Sequence, residues 1–478
     1  LSSVGVETSF TVSAASDYGL PDKAYDGVIL HAWNWSFRTI KDNMQAIAEA
    51  GYTSVQTSPV QRPKDYSNAS TSQWDWWKVY QPTSLCFSPG GHPWFGSKED
   101  FKAMCDEAEK YGIKVIVDIV ANHMANTTGG MGNVRADISE QNEAAYRDDD
   151  SCWHLNGSRG INYGQQNRYG GTDSLTYGFG GWPDLNTGNK KVQNAIISLL
   201  KECYDLGADG FRFDAAKHIE LPTDPGGASD FWPTVISGIE NYASSKGGDV
   251  YCYGEILDDS ATDIKNYTKY IAVTDNRAGN ATRYGVRDGD IGKAANSSLT
   301  YNGIPYQKIV LWSESHDTYA NDDYTGESTK FNQDQINRAW AIIAARQFPA
   351  LYFVRPDNPR SQMMGQMSSN TAWKSKEVAE VNKFHNAFVG ESEYMSSSGS
   401  TVLVERGTAG VVLVNINGSG QQISAKVNKM KDGTYKVFQP YLVWTEKGRM
   451  FIHNLINQQI KRVTRRAAVL LIQPTLFT

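Results

Sequence analysis

The stretch Gly210-Phe211-Arg212-Phe213-Asp214-Ala215-Ala216-Lys217-His218 begins as an apolar strand and ends in a cluster of ionisable groups. Side chains alternate faces along a strand, so Arg212 and Asp214 point one way and Phe211 and Phe213 the other. A guanidinium beside a carboxylate favours its charged form. An ionised carboxylate at the carboxyl end of a buried strand is a candidate nucleophile. A structural ion pair is the competing reading, and the rest of the chain has to decide between them.

Outward from this stretch, short apolar strands alternate with helical segments. Upstream lie Gly27 to Trp33, Thr53 to Thr57 and Lys114 to Val120. Downstream lie Val250 to Glu255, Tyr270 to Val273, Lys308 to Glu314 and Ala350 to Val354. With Ala208 to Asp214 these are eight runs, nearly continuous in Val, Ile and Leu, as strands buried on both faces require. Helices are expected over Thr39 to Ala50, ending at Gly51, and over Ser97 to Tyr111, with Ser97 as N-cap and Asp100 three residues on. Two more are expected over Asn189 to Leu206 and Gln333 to Gln347. Eight β/α units predict a closed (β/α)8 TIM barrel with its active site at the carboxyl ends of the strands. An open doubly wound sheet is disfavoured, because no Gly-rich phosphate loop follows the first strand.

Two regions break the alternation. Residues 124–187 are rich in Gly, Asn, Asp and Tyr without a long periodic segment, which marks an inserted subdomain rather than a loop. From about residue 395 the pattern becomes that of a small antiparallel β domain. Strands are expected at Thr401 to Glu405 and Gly410 to Asn415, around a turn at Arg406-Gly407-Thr408-Ala409. The expected organisation is a barrel in two parts, 1–123 and 188–394, an insert over 124–187 and a C-terminal β-sandwich over 395–478. The ending from about 437, with Lys447, Arg449, Lys461, Arg462, Arg465 and Arg466 among apolar residues, shows no clean alternation.

Composition narrows the function classes. The 478 residues are 40% hydrophobic and 21% charged, with a net charge of −6, which gives no basic footprint for nucleic acid or an anionic membrane. No apolar run approaches the roughly 20 residues of a membrane span. The five cysteines are scattered without metal-type spacing, and an odd number is no disulfide framework. The 13 Trp and 25 Tyr, many beside Gly, Asn and Asp, suit either core packing or flat surfaces for sugar rings.

Polar residues close four of the expected strands. The third ends in Asp118 and runs on to Asn122-His123; the fourth ends in Asp214, Lys217 and His218. The fifth ends in Gly254-Glu255 and the seventh in Glu314-Ser315-His316-Asp317. Carboxyl ends of barrel strands converge on one mouth. Asp214, Glu255 and Asp317 there, with His123 and His316 beside them, suit glycoside cleavage: one carboxyl protonates the leaving oxygen while another attacks or flanks the anomeric carbon. Asp118 reads as a support carboxylate, and Glu314 as equally able to be structural.

These segments resemble the signature regions of the α-amylase family of retaining glycoside hydrolases. Asp118–His123 is similar to the first, Gly210–His218 to the second, Gly254-Glu255 to the third and Glu314–Asp317 to the fourth. Pro183-Asp184-Leu185-Asn186 resembles a further motif in the insert, and Trp76-Trp77-Lys78-Val79-Tyr80-Gln81-Pro82 the stretch lining the innermost sugar site. Glu314 to Asn321 is most similar to the secreted bacterial, Bacillus subtilis-type members. The resemblance spans about residues 25 to 435.

The resemblance implies endo-hydrolysis of α-1,4-glucosidic bonds in starch, glycogen and maltooligosaccharides. Asp214 would be the nucleophile, Glu255 the acid/base and Asp317 the residue gripping the reacting sugar. Retention requires the Asp214 and Glu255 carboxyls about 5–5.5 Å apart. Arg212 would keep Asp214 charged, while Asp214 and Asp317 would raise the Glu255 pKa by like-charge repulsion. Trp76, Trp77, Tyr80, Gln81, His123, Lys217, His218 and His316 would bind substrate. A structural Ca2+ is implied, held by Asn122, Asp184 and the His218 carbonyl, an oxygen set that suits a hard cation. Ser315 stands where chloride-binding relatives carry Asn, so chloride activation is not expected. The family also implies an extracellular monomer. Transglycosylation or debranching is the alternative within the family. A non-catalytic sugar-binding relative would be expected to lack one of the three carboxylates, and all are present.

Overall fold

The computed structural model describes residues 17–125, 148–154, 182–224, 228–257, 264–408, 410–417, 424–430, 433–437, 441–446, 449–454 and 468–472. Most of the expected insert and parts of the basic ending lie outside them.

Eight parallel strands close into a barrel. They are β1 (Val28–His31), β2 (Ser54–Gln56), β3 (Lys114–Ile119), β4 (Gly210–Phe213), β5 (Tyr251–Gly254), β6 (Ala272–Asp275), β7 (Ile309–Trp312) and β8 (Ala350–Phe353). Each pairs with its sequence neighbour, and β1 pairs with β8 to complete the ring. The alternation read from the sequence sorts their side chains. Ile29, Ile116, Tyr253, Ala272, Val310, Trp312 and Leu351 form an inner cluster. Phe211 and Phe213 of β4 join the larger outer core, where the Phe213 ring lies 5.4 Å from that of Trp232. Fully burying one such side chain is worth about 1.5–3 kcal/mol.

The outer layer follows from amphipathic spacing and capping. Helix α3 (Lys98–Tyr111) starts at Ser97 with a complete capping box to Asp100 and ends at Gly112 in the left-handed conformation, φ 72°. Helices α4 (Lys190–Asp205), α5 (Phe231–Ser245), α6 (Asn276–Asp288), α8 (Gln333–Ala345) and α9 (Lys376–Ala387) complete the described long helices. Helix α7 (His316–Tyr324) starts the functional turn after β7.

Two expectations are corrected. The single helix over Thr39 to Ala50 is two short ones, α1 (Phe37–Asp42) and α2 (Met44–Glu49). They part at Asn43, whose side chain bonds back to the Thr39 carbonyl and competes with the helix. The sixth strand runs two residues later than expected, because the fully buried Asp275 both ends it and caps α6 through the Arg277 and Ala278 amides. The ending without visible alternation forms strands all the same, β14 (Tyr441–Glu446) and β15 (Arg449–Asn454), paired from Tyr441↔Asn454 to Glu446↔Arg449.

The C-terminal strands are β9 (Glu393–Ser398), β10 (Thr401–Arg406), β11 (Gly410–Asn415), β12 (Ser424–Lys426), β13 (Gly433–Val437), β14, β15 and β16 (Ala468–Ile472). They are antiparallel except at β16, which runs parallel to its neighbours β11 and β13. Arg338 of α8 ties this sheet to the barrel by donating to the Ile416 carbonyl at 2.7 Å.

Candidate active site

The register of β3 and β4 sets Asp118 beside Arg212, and strand alternation turns both inward. Arg212 Nη1 lies 2.8 and 2.9 Å from the two oxygens of Asp118 and 2.9 Å from Asp214 Oδ1. One buried cation thus holds two carboxylates. Burial pushes the Asp214 pKa above the ordinary carboxylate range and Arg212 pulls it back down. The sequence reading anticipated the pull of Arg212 but not that desolvation would outweigh it.

Glu255 follows directly on Gly254. A Cβ at that glycine would sit 2.6 Å from the Ala216 Cβ, so only glycine lets β5 approach the turn after β4 this closely. That turn is made by Ala215 in the left-handed conformation, φ 47°, a strain of about 1–2 kcal/mol for a non-glycine residue. The strain sends the Ala215 amide onto Glu255 Oε2 at 3.0 Å, while the Ala216 amide donates to the Glu255 carbonyl at 3.1 Å. Burial raises the Glu255 pKa to about 8; Arg212, 3.8 Å away, opposes the shift, and Asp317 and Asp214 add to it. Like-charge repulsion is real but secondary to desolvation.

Asp317 lies in the first turn of α7, capped by Ser315. Its pKa is raised, chiefly by burial, and Asn321 donates to its Oδ1 at 3.3 Å. His316 beside it is held neutral by burial and by Arg212. The His316 ring stacks on Tyr80, centroids 5.0 Å apart and nearly parallel, and the Tyr80 hydroxyl donates to Asp118 Oδ2 at 3.1 Å. The support carboxylate of β3 therefore fixes both Arg212 and the aromatic wall.

These pieces surround one cleft. Trp76, Trp77, Tyr80, Asp214, Lys217, His218, Glu255, His316 and Asp317 line it, joined by Trp182, Ala215, Leu257 and Asn321. Arg212 stands beneath, in a neighbouring cavity. Gln81 and His123 are buried behind the wall, His123 Nε2 lying 2.9 Å from the Tyr80 carbonyl and its ring stacking on Trp182. Trp77, 38% exposed, offers an open aromatic face at the cleft. The sequence reading missed the Ala215 amide, whose role depends on backbone geometry, and His31, which closes β1.

Asn122 and Asp184 meet where the barrel joins the insert: the Leu185 amide donates to the Asn122 carbonyl at 3.0 Å, and Asp184 bridges to His123. Asp184 Oδ2 lies 2.6 Å from His154 Nδ1, and His154 Nε2 lies 3.3 Å from Glu220 Oε1. Both carboxylates are buried, and burial raises both pKa values, that of Glu220 to about 8. Burial holds His154 below its usual pKa, so two buried acids share an imidazole that tends to be neutral. Among the described residues no group of three or more His, Cys, Asp or Glu side chains is arranged to hold a metal. A neighbouring cation would nonetheless favour the ionised forms of these buried acids, and an Asn and an Asp supply the hard oxygens it would need.

Comparison with known proteins agrees with the fold and motifs. Residues 90–379 match the family model for the α-amylase catalytic domain. The chain is 36% identical over 426 residues to an α-amylase of Clostridium acetobutylicum, covering 87% of this chain and 51% of that protein. It is 34% identical over 455 residues to one from Butyrivibrio fibrisolvens, covering 87% and 44%. Among solved structures, a mutant of α-amylase I from Eisenia fetida in complex with maltohexaose superposes with a TM-score of 0.67 at 17% identity, covering 91% of this chain and 95% of that one. A gamma-CGTase from alkalophilic Bacillus clarkii superposes with a TM-score of 0.65 at 16% identity, covering 90% and 69%. The chain belongs to the α-amylase family. It spans about half the length of the curated relatives it matches.

Proposed function

We propose that this chain is a retaining endo-α-1,4-glucan hydrolase acting on starch, glycogen and maltooligosaccharides. The observation that carries the reading is the convergence of Asp214, Glu255 and Asp317 on one aromatic-walled cleft. Glu255, its pKa raised, holds a proton near neutral pH and gives it to the glycosidic oxygen as that bond breaks. Asp214, kept in place by Arg212, attacks the anomeric carbon and forms a glycosyl ester. Glu255, now ionised, takes a proton from water, which cleaves the ester and restores both carboxyls. Asp317 and His316 grip the hydroxyls of the reacting ring, and Tyr80, Trp76 and Trp77 offer it flat faces.

The α-amylase relatives support hydrolysis, while the structural likeness to a gamma-CGTase leaves transfer to a sugar acceptor as the second reading. Ca2+ at Asn122, Asp184 and the His218 carbonyl belongs to the same proposal and would brace the barrel against the insert. A monomer working outside the cell suits a polymeric substrate too large to enter one. Product profiles from soluble starch and from a branched α-1,6 glucan test the reading: shorter linear products from starch are expected, and exclusive formation of larger or branched products overturns it.

A further inference from the structure

A second cavity, of about 20 Å³, lies next to the cleft and is lined by residues including His31, Arg212, Glu255, Trp312 and His316. His31 is 1% exposed, and neither of its ring nitrogens has a hydrogen-bond partner among the described residues. Trp312 Nε1 and Glu255 Oε1 are also buried and unpartnered there. Each such group left unsatisfied costs about 1–3 kcal/mol, so orphans on three residues around one cavity call for a common partner.

The chemistry of these groups selects that partner. The indole Nε1 only donates; a neutral imidazole offers one donor and one acceptor; a carboxyl oxygen accepts when ionised. Burial first, and then His316 and Arg212, keep His31 neutral, so both of its capacities are available. A water molecule, with two donors and two acceptors, can pair with one His31 nitrogen, the indole N–H and the Glu255 oxygen together. An apolar guest answers none, and an anion only the donors. The volume exceeds the roughly 10–15 Å³ that one water requires.

We propose that this cavity is an ordered-water site built by His31, Trp312 and Glu255, and that His31 is a positioning residue for the acid/base carboxyl. The inference rests on the reading of Glu255 as acid/base. When Glu255 gives up its proton, the water turns to donate to Oε1 and solvates the charge until the proton returns. The other charged and titratable groups around Glu255 are Arg212, Asp214, Lys217, His316 and Asp317, and none of them bonds Oε1.

A high-resolution crystal structure of the wild-type chain is expected to show water within hydrogen-bond distance of a His31 nitrogen and of Glu255 Oε1. A dry cavity, or a halide in it, overturns the site whether or not the chain cleaves starch. Kinetics test the role. His31→Phe should lower kcat roughly tenfold, the equivalent of one lost hydrogen bond, with KM for a maltooligosaccharide unchanged. Its alkaline limb of kcat/KM should move to higher pH, because ionised Glu255 loses its solvation. His31→Gln, which keeps a donor and an acceptor, should restore both, and Trp312→Phe should shift the limb the same way by less. A fall in kcat with an unmoved limb, or no rescue by His31→Gln, overturns the role. Should His31→Phe fail to fold, His31→Gln and Trp312→Phe still decide it. A wild-type chain inert on starch refutes the function without touching the crystallographic result.

Discussion

Arg212 grips Asp118 more fully than it grips Asp214: its Nη1 meets both oxygens of Asp118, at 2.8 and 2.9 Å, but only one oxygen of Asp214. Asp118 thus fixes the cation that holds Asp214, the proposed nucleophile. Asp118→Ala should lower kcat on the order of 100-fold, as a misplaced reacting group does. It should also destabilise the fold, by less than the about 3–5 kcal/mol of a fully stranded buried charge, because Arg212 keeps Asp214. Asp118→Asn, which keeps an acceptor for Tyr80, should lie between. Steady-state kinetics with thermal melts check this; wild-type kcat in Asp118→Ala refutes it.

Asp214→Asn keeps the shape of the proposed nucleophile and removes its charge. Turnover of starch should be lost while binding of maltooligosaccharide, measured by calorimetry, stays largely intact. Substantial residual turnover would sink the assignment.

The raised carboxyl pKa values set the pH dependence of both rate and stability. kcat/KM should rise with pH as Asp214 ionises, above the ordinary carboxylate range, and fall again near pH 8 as Glu255 loses its proton. For stability, the folded state holds the Glu255 proton where the unfolded chain has released it. Wild-type stability therefore declines between the unfolded value of about 4.5 and about 8. Glu255→Gln cannot ionise and avoids that decline. Its melting temperature should match the wild type at acid pH and exceed it by about 2 °C or more at pH 9. Equal melting temperatures at both pH values contradict the burial of Glu255 as the cause.

Most of the barrel was legible because its strands are buried on both faces and read as bare apolar runs. Gly210–Phe213 and Tyr251–Gly254 fall inside the expected spans. The carboxylates were legible by the same logic, since a polar residue ending such a run has few structural reasons to be there. What stayed hidden depends on geometry rather than residue type. Ala215 reads as filler until its positive φ aims an amide at Glu255, and His31 reads as one more residue of the run Gly27 to Trp33 until its nitrogens prove unpartnered. The dominance of desolvation over Arg212 at Asp214 was equally out of reach, because burial is a property of the assembled barrel.

Calcium makes a separate prediction. If the cation binds at Asn122, Asp184 and the His218 carbonyl, chelator should lower the melting temperature and added Ca2+ should restore it. A ligand at 100 times its Kd stabilises by about 2.7 kcal/mol. Asp184→Asn should melt lower and respond less to chelator. A melting temperature indifferent to chelator counts against the site.

Glu314 and Arg355 connect the ends of β7 and β8 just before the functional turn. Arg355 donates to Glu314 from Nε at 2.7 Å and from Nη2 at 2.8 Å, and reaches the Phe331 and Ser328 carbonyls at 2.9 Å each. Glu314 is 1% exposed, so removing its partner strands a buried charge. Arg355→Met alone should cost about 3–5 kcal/mol, whereas Arg355→Met with Glu314→Leu should recover much of that, because an apolar pair carries no desolvation penalty. Activity should not follow stability: the double variant lacks the tether that fixes the turn bearing His316 and Asp317, so its kcat should stay low after its melting temperature recovers. A double variant that recovers both would make the pair a stability device with no part in placing Asp317.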